Sequence, residues 1–158
     1  WSRGLGDVYK RQINGISSGL AAPASIGVPL THRDWSQGAI FITGHGKNAE
    51  SNPDWATLAK LNLTLVIYMG IARCAEIQAA LLAGGKDGAT PVAVIQSATG
   101  MAQAQLITTL SALPQALAES GIGSPAIIVI GDVVRCATVA TEAGTRTLRD
   151  EVLAQLTA

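Results

Sequence analysis

The sequence predicts an α/β domain, in which short strands alternate with helices and the two pack in layers. Three observations support this fold class. Short apolar runs rich in Val and Ile recur along the chain, and longer stretches with helical character separate them. Glycines and polar residues follow directly after most of the apolar runs. Because ligands of open α/β sheets bind beyond the carboxyl ends of strands, these following residues are the candidate site.

The composition fits one compact domain of 158 residues. Hydrophobic residues make up 48% of the chain and charged residues 14%, which excludes a disordered protein. Lys plus Arg and Asp plus Glu both number 11, so no net charge favours nucleic acid or an anionic membrane surface. No apolar run is long enough to span a bilayer. We therefore expect a cytoplasmic protein with neither nucleic acid nor a membrane as partner.

The two cysteines and two histidines do not predict a metal site. Cys74 and Cys136 lie far apart in the sequence, without the spacing of zinc ligands. Nothing indicates secretion, so a disulfide is not expected. We expect two reduced thiols in or near the core, and no metal.

The first predicted elements are a helix, a strand and a second helix. Ser17–Ile26 is rich in small residues and predicts a helix, provided that Pro23 falls in its first turn or kinks it. Ala39–Thr43 is a short β-rich run and predicts a strand. Asn52-Pro53-Asp54 predicts a turn and a helix cap, ahead of the short helix Trp55–Lys60.

The middle of the chain predicts three strands and one helix. Leu63–Met69 is a continuous apolar run, typical of a strand buried on both faces. The helix Ala72–Ala83 follows, because its apolar residues fall on one side. Pro91–Ile95 predicts another buried strand, and Gln103–Thr109 a more exposed one.

The last predicted elements are two helices around a strand. Ser111–Ser120 predicts a helix that starts late, since Pro114 fits only near its beginning. Ala126–Ile130 predicts the last strand. Thr145–Leu156 predicts a closing amphipathic helix.

Glycines and polar residues follow four of these strands. They are Gly44-His45, Gly70, Ser97-Ala98-Thr99 and Gly131-Asp132. This pattern predicts a ligand site at the edge of the sheet where the strands end.

Two clusters of polar and charged residues suit a substrate with several carboxylates. Pro29–Asp34 contains an imidazole, a guanidinium and a carboxylate, and Thr43–Lys47 contains a second imidazole and a second cation. If both clusters lie at one sheet edge, Arg33 and Lys47 can pair with substrate carboxylates. The alternative is two solvated loops, with a local Arg33–Asp34 pair of little energetic weight.

Six segments, in order and spacing, resemble the C-terminal half of the uroporphyrinogen III C-methyltransferase family, which also forms the methylase part of siroheme synthases. They are Gly15–Ser18, Pro29–Asp34, Thr43–His45, Tyr68–Gly70, Pro91–Val94, and Ser124-Pro125 with Ile127–Val134. The resemblance covers Ile13 to about Ala137 well and the predicted closing helix loosely. It implies the C-terminal lobe of the two-lobed tetrapyrrole methylase fold, with a mixed sheet of about five strands flanked by helices, in a homodimer.

The resemblance also implies ligands and site residues. The methyl donor would be S-adenosyl-L-methionine, and the acceptor uroporphyrinogen III, methylated twice to give precorrin-2. Contacts with the methyl donor are implied for Ser17, Ser18, Met69 and Ala98. Contacts with the tetrapyrrole are implied for Arg33, His45, Met69 and, through its charge, Lys47. His45 would hold a carboxylate or remove the proton after transfer, and the sequence leaves both roles open.

The chain departs from the family pattern at several positions. Asn14 replaces a common proline, Ser18 and Ala98 replace alanine and glycine, and Ala104 replaces a common arginine. The family's N-terminal lobe, with a Gly-rich loop and a Gly-Asp-Pro segment, has no counterpart in this sequence, and residues 1–12 are expected to be foreign. We therefore expect the chain to be a fragment that is inactive on its own. The alternatives are a non-catalytic small-molecule-binding or interaction module, and a methylase for a later corrin intermediate.

Overall fold

The computed structural model of the chain describes residues 13–46, 52–141 and 144–147. These contain four α-helices: α1 (Ser18–Ser25), α2 (Trp55–Lys60), α3 (Cys74–Ala83) and α4 (Leu113–Ser120). They also contain seven strands: β1 (Ala39–Thr43), β2 (Thr64–Tyr68), β3 (Pro91–Gln96), β4 (Ala104–Thr109), β5 (Ala126–Ile130), β6 (Thr138–Thr141) and β7 (Gly144–Thr147). Short 3₁₀ helices cover Ile71–Arg73 and Asp132–Cys136.

The main sheet has five strands in the order β1-β2-β5-β3-β4. β1 and β2 are parallel, whereas β5 is antiparallel to both of its neighbours, β2 and β3. β4 pairs antiparallel with β3 at the far edge. The sheet is therefore mixed and five-stranded, which confirms the predicted fold class.

The sheet lies between two helical layers. Alternate residues of its strands point to opposite faces, so Leu65 and Ile67 pack against α2, α3 and α4, whereas Val66 packs against α1 and the 3₁₀ helix after β5. Both faces are covered, which explains why the central strands are continuous apolar runs rather than alternating ones. Cys74 is buried and Cys136 is half-buried, in agreement with two thiols in or near the core.

Local sequence signals account for the bounds of several helices. Asp54 accepts a hydrogen bond from the backbone N–H of Thr57, and this cap starts α2 at the predicted residue. Pro114 occupies the first turn of α4, where its missing N–H costs nothing. Gly121 ends α4 with a φ of 69°, a conformation that glycine adopts without strain.

Pro23 lies in the second half of α1 and is buried, which excludes the first of its two predicted alternatives, a place in the first turn, and the helix ends two residues later. The prediction for the last helix is wrong. The predicted closing helix fails at its start, because Gly144–Thr147 pairs antiparallel with Thr138–Thr141 in a separate two-stranded sheet. Thr145 and Thr147 alternate in the second segment, and the first is rich in β-branched residues (Thr138, Val139 and Thr141), which favours this pairing. Residues 148–158 lie outside the described residues.

Within the described part of the chain, none of the helices has the length and apolar character needed to cross a membrane.

Candidate active site

Three of the four predicted strand-end clusters meet at one edge of the sheet. β3 points in the same direction as β1 and β2, because both β2 and β3 are antiparallel to β5. Gly44-His45, Met69-Gly70 and Ser97-Ala98-Thr99 therefore lie together, and we call this side the carboxyl edge. β5 runs the other way, so Gly131-Asp132 lie at the opposite edge, and the prediction is wrong for that cluster.

A hollow of about 530 Å³ opens at the carboxyl edge. The start of α1, the loops after β2 and β3, and the start of β5 form its walls. Among the lining residues are Ser18, Met69 and Ala98, three of the four positions implied for the methyl donor. Its volume lies within the range of about 300–1,000 Å³ that is typical of small-molecule sites.

The phenol of Tyr68 fixes the start of α1 against the end of β2. Its oxygen accepts the backbone N–H of Gly19 at 2.8 Å and shares a short hydrogen bond with the hydroxyl of Ser17. The Gly19 N–H belongs to the first turn of α1, where it has no partner inside the helix. Ser17, the fourth implied contact, is therefore held at the N-terminus of α1 and next to Ser18 at the hollow.

Three residues that line the hollow have a left-handed backbone. Met69, Ser97 and Thr99 have φ values of 53°, 48° and 64°. None is glycine, so each conformation costs about 1–3 kcal/mol, which the surrounding structure offsets. Met69 is 64% exposed, although it follows a strand buried in the core. Backbone strain of this kind clusters at functional sites, which supports this hollow as the candidate site.

His45 lies at the carboxyl edge, beside the loop after β2. The N–H of the preceding Gly44 donates to the carbonyl oxygen of Tyr68 at 2.7 Å. A Cβ at Gly44 would lie 2.8 Å from the Cα of Gly70, so the two loops touch through their backbones. The imidazole of His45 is exposed. His45 and Met69 therefore belong to neighbouring loops, as predicted.

Arg33 does not lie at the carboxyl edge with His45 and Met69. Its loop, residues 29–37, is attached near the start of β2, where the Ser36 hydroxyl accepts hydrogen bonds from the backbone N–H and the hydroxyl of Thr64 at 3.0 and 3.1 Å. Thr64 and Met69 lie at opposite ends of β2, about 16 Å apart at the usual rise of a strand. The prediction that Arg33 and His45 share one sheet edge is therefore wrong. Lys47 lies outside the described residues.

A second, more polar hollow of about 270 Å³ lies at the opposite edge. Lys60, Lys86, Asp132 and Arg135 are among the residues that line it. Arg135 pairs with Asp132 at 3.0 Å, and both side chains are nearly half exposed, so the pair contributes little to stability. Burial lowers the pKa of Lys86, against an opposing effect of Asp132. None of the predicted contact residues that the structure describes lines this hollow.

The sequence did not indicate two features of the carboxyl-edge site. The sequence marks Tyr68 only as part of the segment Tyr68–Gly70, whereas its phenol holds the start of α1 through the N–H of Gly19. The left-handed conformations of Ser97 and Thr99 had no sequence signal, because neither residue is glycine or asparagine. Across the residues described, no three His, Cys, Asp or Glu side chains group in a way that could hold a metal ion.

The chain belongs to the tetrapyrrole (corrin/porphyrin) methylases, whose family profile matches residues 8–114. Within that family, curated relatives with high similarity are siroheme synthases. The siroheme synthase of Chromobacterium violaceum is 41% identical over 125 residues, which are 79% of this chain and 27% of that protein. The siroheme synthase of Actinobacillus succinogenes is 46% identical over 122 residues, which are 77% of this chain and 25% of that protein.

Solved structures of the same family share the fold. The uroporphyrin-III C-methyltransferase of Thermus thermophilus, solved in complex with S-adenyl homocysteine, superposes with a TM-score of 0.66 at 29% identity, over 78% of this chain and 52% of that chain. A cobalt precorrin-4 methyltransferase superposes with a TM-score of 0.70 at 26% identity, over 77% and 51%. The chain thus spans about a quarter of the curated relatives and about half of these solved chains.

Proposed function

We propose that this chain forms one half of the active site of an S-adenosyl-L-methionine-dependent methyltransferase that converts uroporphyrinogen III to precorrin-2. The proposal includes a homodimer in the cytoplasm, with neither nucleic acid nor a membrane as partner. The described residues form one lobe of such an enzyme, and the chain alone is expected to bind the methyl donor weakly and to be inactive. The matched siroheme synthases, at 41% and 46% identity, favour this reaction within the family.

One observation supports the proposal most strongly: a single hollow at the carboxyl edge brings Ser18, Met69 and Ala98 together. These residues are far apart in the sequence, and the resemblance implies a methyl-donor contact for each. Ala98 has the smallest side chain that retains a Cβ, so it leaves room for a ligand. Tyr68 adds Ser17 at the start of α1, beside the same hollow.

In this reaction the lobe would mainly bind and orient the methyl donor and the substrate. The sulfonium of the methyl donor supplies an activated carbon, and a pyrrole carbon of the substrate would attack it in line. The walls of the hollow include apolar side chains such as Ile16, Ile95 and Pro125, which exclude water from the donor. Met69, exposed at the end of β2, would separate the donor from the macrocycle and contact both.

The substrate contacts of the proposal differ in their structural support. His45 lies on the loop next to Met69, so it can meet a substrate carboxylate or accept the proton lost after transfer. Lys47, two residues after His45 in the sequence, would pair with a substrate carboxylate. The loop of Arg33 is attached at the other end of β2, so the proposed substrate contact of Arg33 rests on the family resemblance alone.

A methylase for a later corrin intermediate is the second candidate. The TM-score of 0.70 with the cobalt precorrin-4 methyltransferase favours it slightly over the value of 0.66 for the uroporphyrin-III enzyme. The sequence identities favour the first candidate, because they are 29% with the uroporphyrin-III enzyme and 26% with the cobalt precorrin-4 enzyme. Both candidates use the same methyl donor, so the substrate alone distinguishes them.

Calorimetry with S-adenosylhomocysteine tests the donor half of the proposal. The wild-type chain is expected to bind, and Ala98→Leu, which fills the hollow, is expected to bind at least about tenfold more weakly. Ala79→Leu is the matched control, since Ala79 is exposed on α3 and its replacement should leave the affinity unchanged. The proposal fails if the folded wild-type chain releases no heat of binding, or if Ala98→Leu binds as well as Ala79→Leu.

A further inference from the structure

The loop that joins β3 to β4 forms one wall of the hollow, and it is closed by its own hydrogen bonds. Gly100 donates its N–H to the carbonyl oxygen of Ser97 at 3.0 Å, and Gln103 donates its N–H to that of Gly100 at 3.1 Å. Ser97 and Thr99 have left-handed backbones, on either side of Ala98. The position of Ala98 in the hollow therefore depends on two unfavourable backbone conformations.

A side chain holds the second of these residues in place. The amide oxygen of Gln103 accepts the backbone N–H of Thr99 at 2.6 Å. This short bond spans the loop from just before β4 to the wall of the hollow. Gln103 is half-buried and does not itself line the hollow. Its side chain therefore acts on the wall, and not on a ligand directly.

We propose that Gln103 is a positioning residue, whose amide oxygen fixes Thr99 and thereby sets the shape of the methyl-donor pocket at Ala98. The inference rests on the proposed function for the identity of the ligand, but the effect on the loop does not depend on it. Thr99 adopts φ = 64° without the help of a glycine, so the loop needs a partner that favours this conformation. The Gln103 oxygen is the acceptor that the described residues provide to this N–H.

The chain offers a matched set of variants. Gln103→Leu keeps the approximate volume of the side chain and removes the acceptor. Gln103→Glu keeps an acceptor oxygen at the same reach. Gln115→Leu makes the same substitution on the exposed face of α4, where the Gln115 amide donates a hydrogen bond to the carboxylate of Glu119 and is remote from the hollow.

The first readout is amide hydrogen exchange at Thr99, followed by NMR without any ligand. In Gln103→Leu, exchange at Thr99 should be about tenfold faster than in wild type, whereas Gln103→Glu and Gln115→Leu should retain the wild-type rate. Exchange in β3 and β5 should be unchanged in all three variants, because the core does not depend on this bond. An unchanged Thr99 rate in Gln103→Leu overturns the proposal.

The second readout is the Kd for S-adenosylhomocysteine, measured together with the thermal midpoint. We expect Gln103→Leu to raise the Kd about tenfold at a nearly unchanged midpoint, and Gln103→Glu to restore it. Faster Thr99 exchange with an unchanged Kd overturns the positioning role and leaves the proposed function intact. If wild type itself does not bind, the proposed function fails, and so does the pocket-shaping role, while the exchange data still decide whether Gln103 fixes Thr99.

Discussion

The phenol oxygen of Tyr68 lies 2.8 Å from the backbone nitrogen of Gly19 and accepts its N–H. This one bond joins the last residue of β2 to the first turn of α1. It positions Ser18 on one wall of the hollow and Met69 on another. The approach is so close that only a residue without a side chain fits at position 19.

Gly19→Ala should destabilise the fold, although alanine is the better helix former. A Cβ at Gly19 would lie 2.8 Å from Cζ of Tyr68 and 2.9 Å from Cε1 of Phe41, so strand or helix must shift. We expect a loss of about 1–3 kcal/mol in the free energy of unfolding, measured with urea. Gly15→Ala is the control, because nothing lies within 4 Å of its Cβ position. Equal stability of the two variants would show that the Tyr68 contact is not tight.

Ser36→Ala should loosen the loop that contains Arg33. The Ser36 hydroxyl accepts from the hydroxyl of the fully buried Thr64 at 3.1 Å, and its removal leaves that hydroxyl without this partner. The expected loss is about 1–3 kcal/mol in the free energy of unfolding. Ser25→Ala, at an exposed helix end, should cost less than about 0.5 kcal/mol. A loss no larger than that of Ser25→Ala would contradict the attachment of this loop to the start of β2.

The cap of α2 should make part of the stability dependent on pH. Hydrogen bonds from the side chain and the backbone of Thr57 lower the pKa of Asp54 below its usual 3.8. The ionised cap therefore stabilises the fold fully above that value, and the contribution is lost as the pH falls through the lowered pKa. The difference between wild type and Asp54→Ala in urea unfolding should be full at about pH 6, begin to shrink below about pH 4 and disappear only below the lowered pKa of Asp54. A difference that stays constant or grows on acidification would contradict the role of the carboxylate.

Arg33→Ala should leave the affinity for S-adenosylhomocysteine within about twofold of wild type, because Arg33 and Met69 lie at opposite ends of β2. In a complete enzyme, the same change should reduce turnover of the tetrapyrrole more than donor binding. Calorimetry and steady-state kinetics measure the two effects. Equal losses in both would make Arg33 a scaffold residue rather than a substrate contact.

The sequence predicted the elements of the sheet well because its strands are buried on both faces. The continuous apolar run Ala126–Ile130 predicts a buried strand, and the observed bounds of β5 agree with the predicted ones. The cap at Asp54 and the proline at Pro114 fixed two helix starts through local chemistry. The pattern was less informative near the end of the chain, where alternating threonines of β7 formed a hairpin instead of a helix.

The site was only partly predictable, because strand direction is a property of the whole sheet. Local sequence does not indicate that β5 runs against its neighbours, so Gly131-Asp132 were expected at the wrong edge. The position of Arg33 depends on a hydrogen bond between residues 28 positions apart, Ser36 and Thr64. Ser18, Met69 and Ala98 were expected from the family resemblance, and the fold does bring these three together.

Backbone amide shifts during titration with S-adenosylhomocysteine test most directly whether the methyl donor binds at the carboxyl edge. The largest changes should cluster at Ser18, Met69 and Ala98, around the hollow of about 530 Å³. Residues of the opposite edge, such as Lys86 and Asp132, should hardly change. Shifts centred on Lys86 and Asp132 instead, with Ser18, Met69 and Ala98 unaffected, would contradict the assignment.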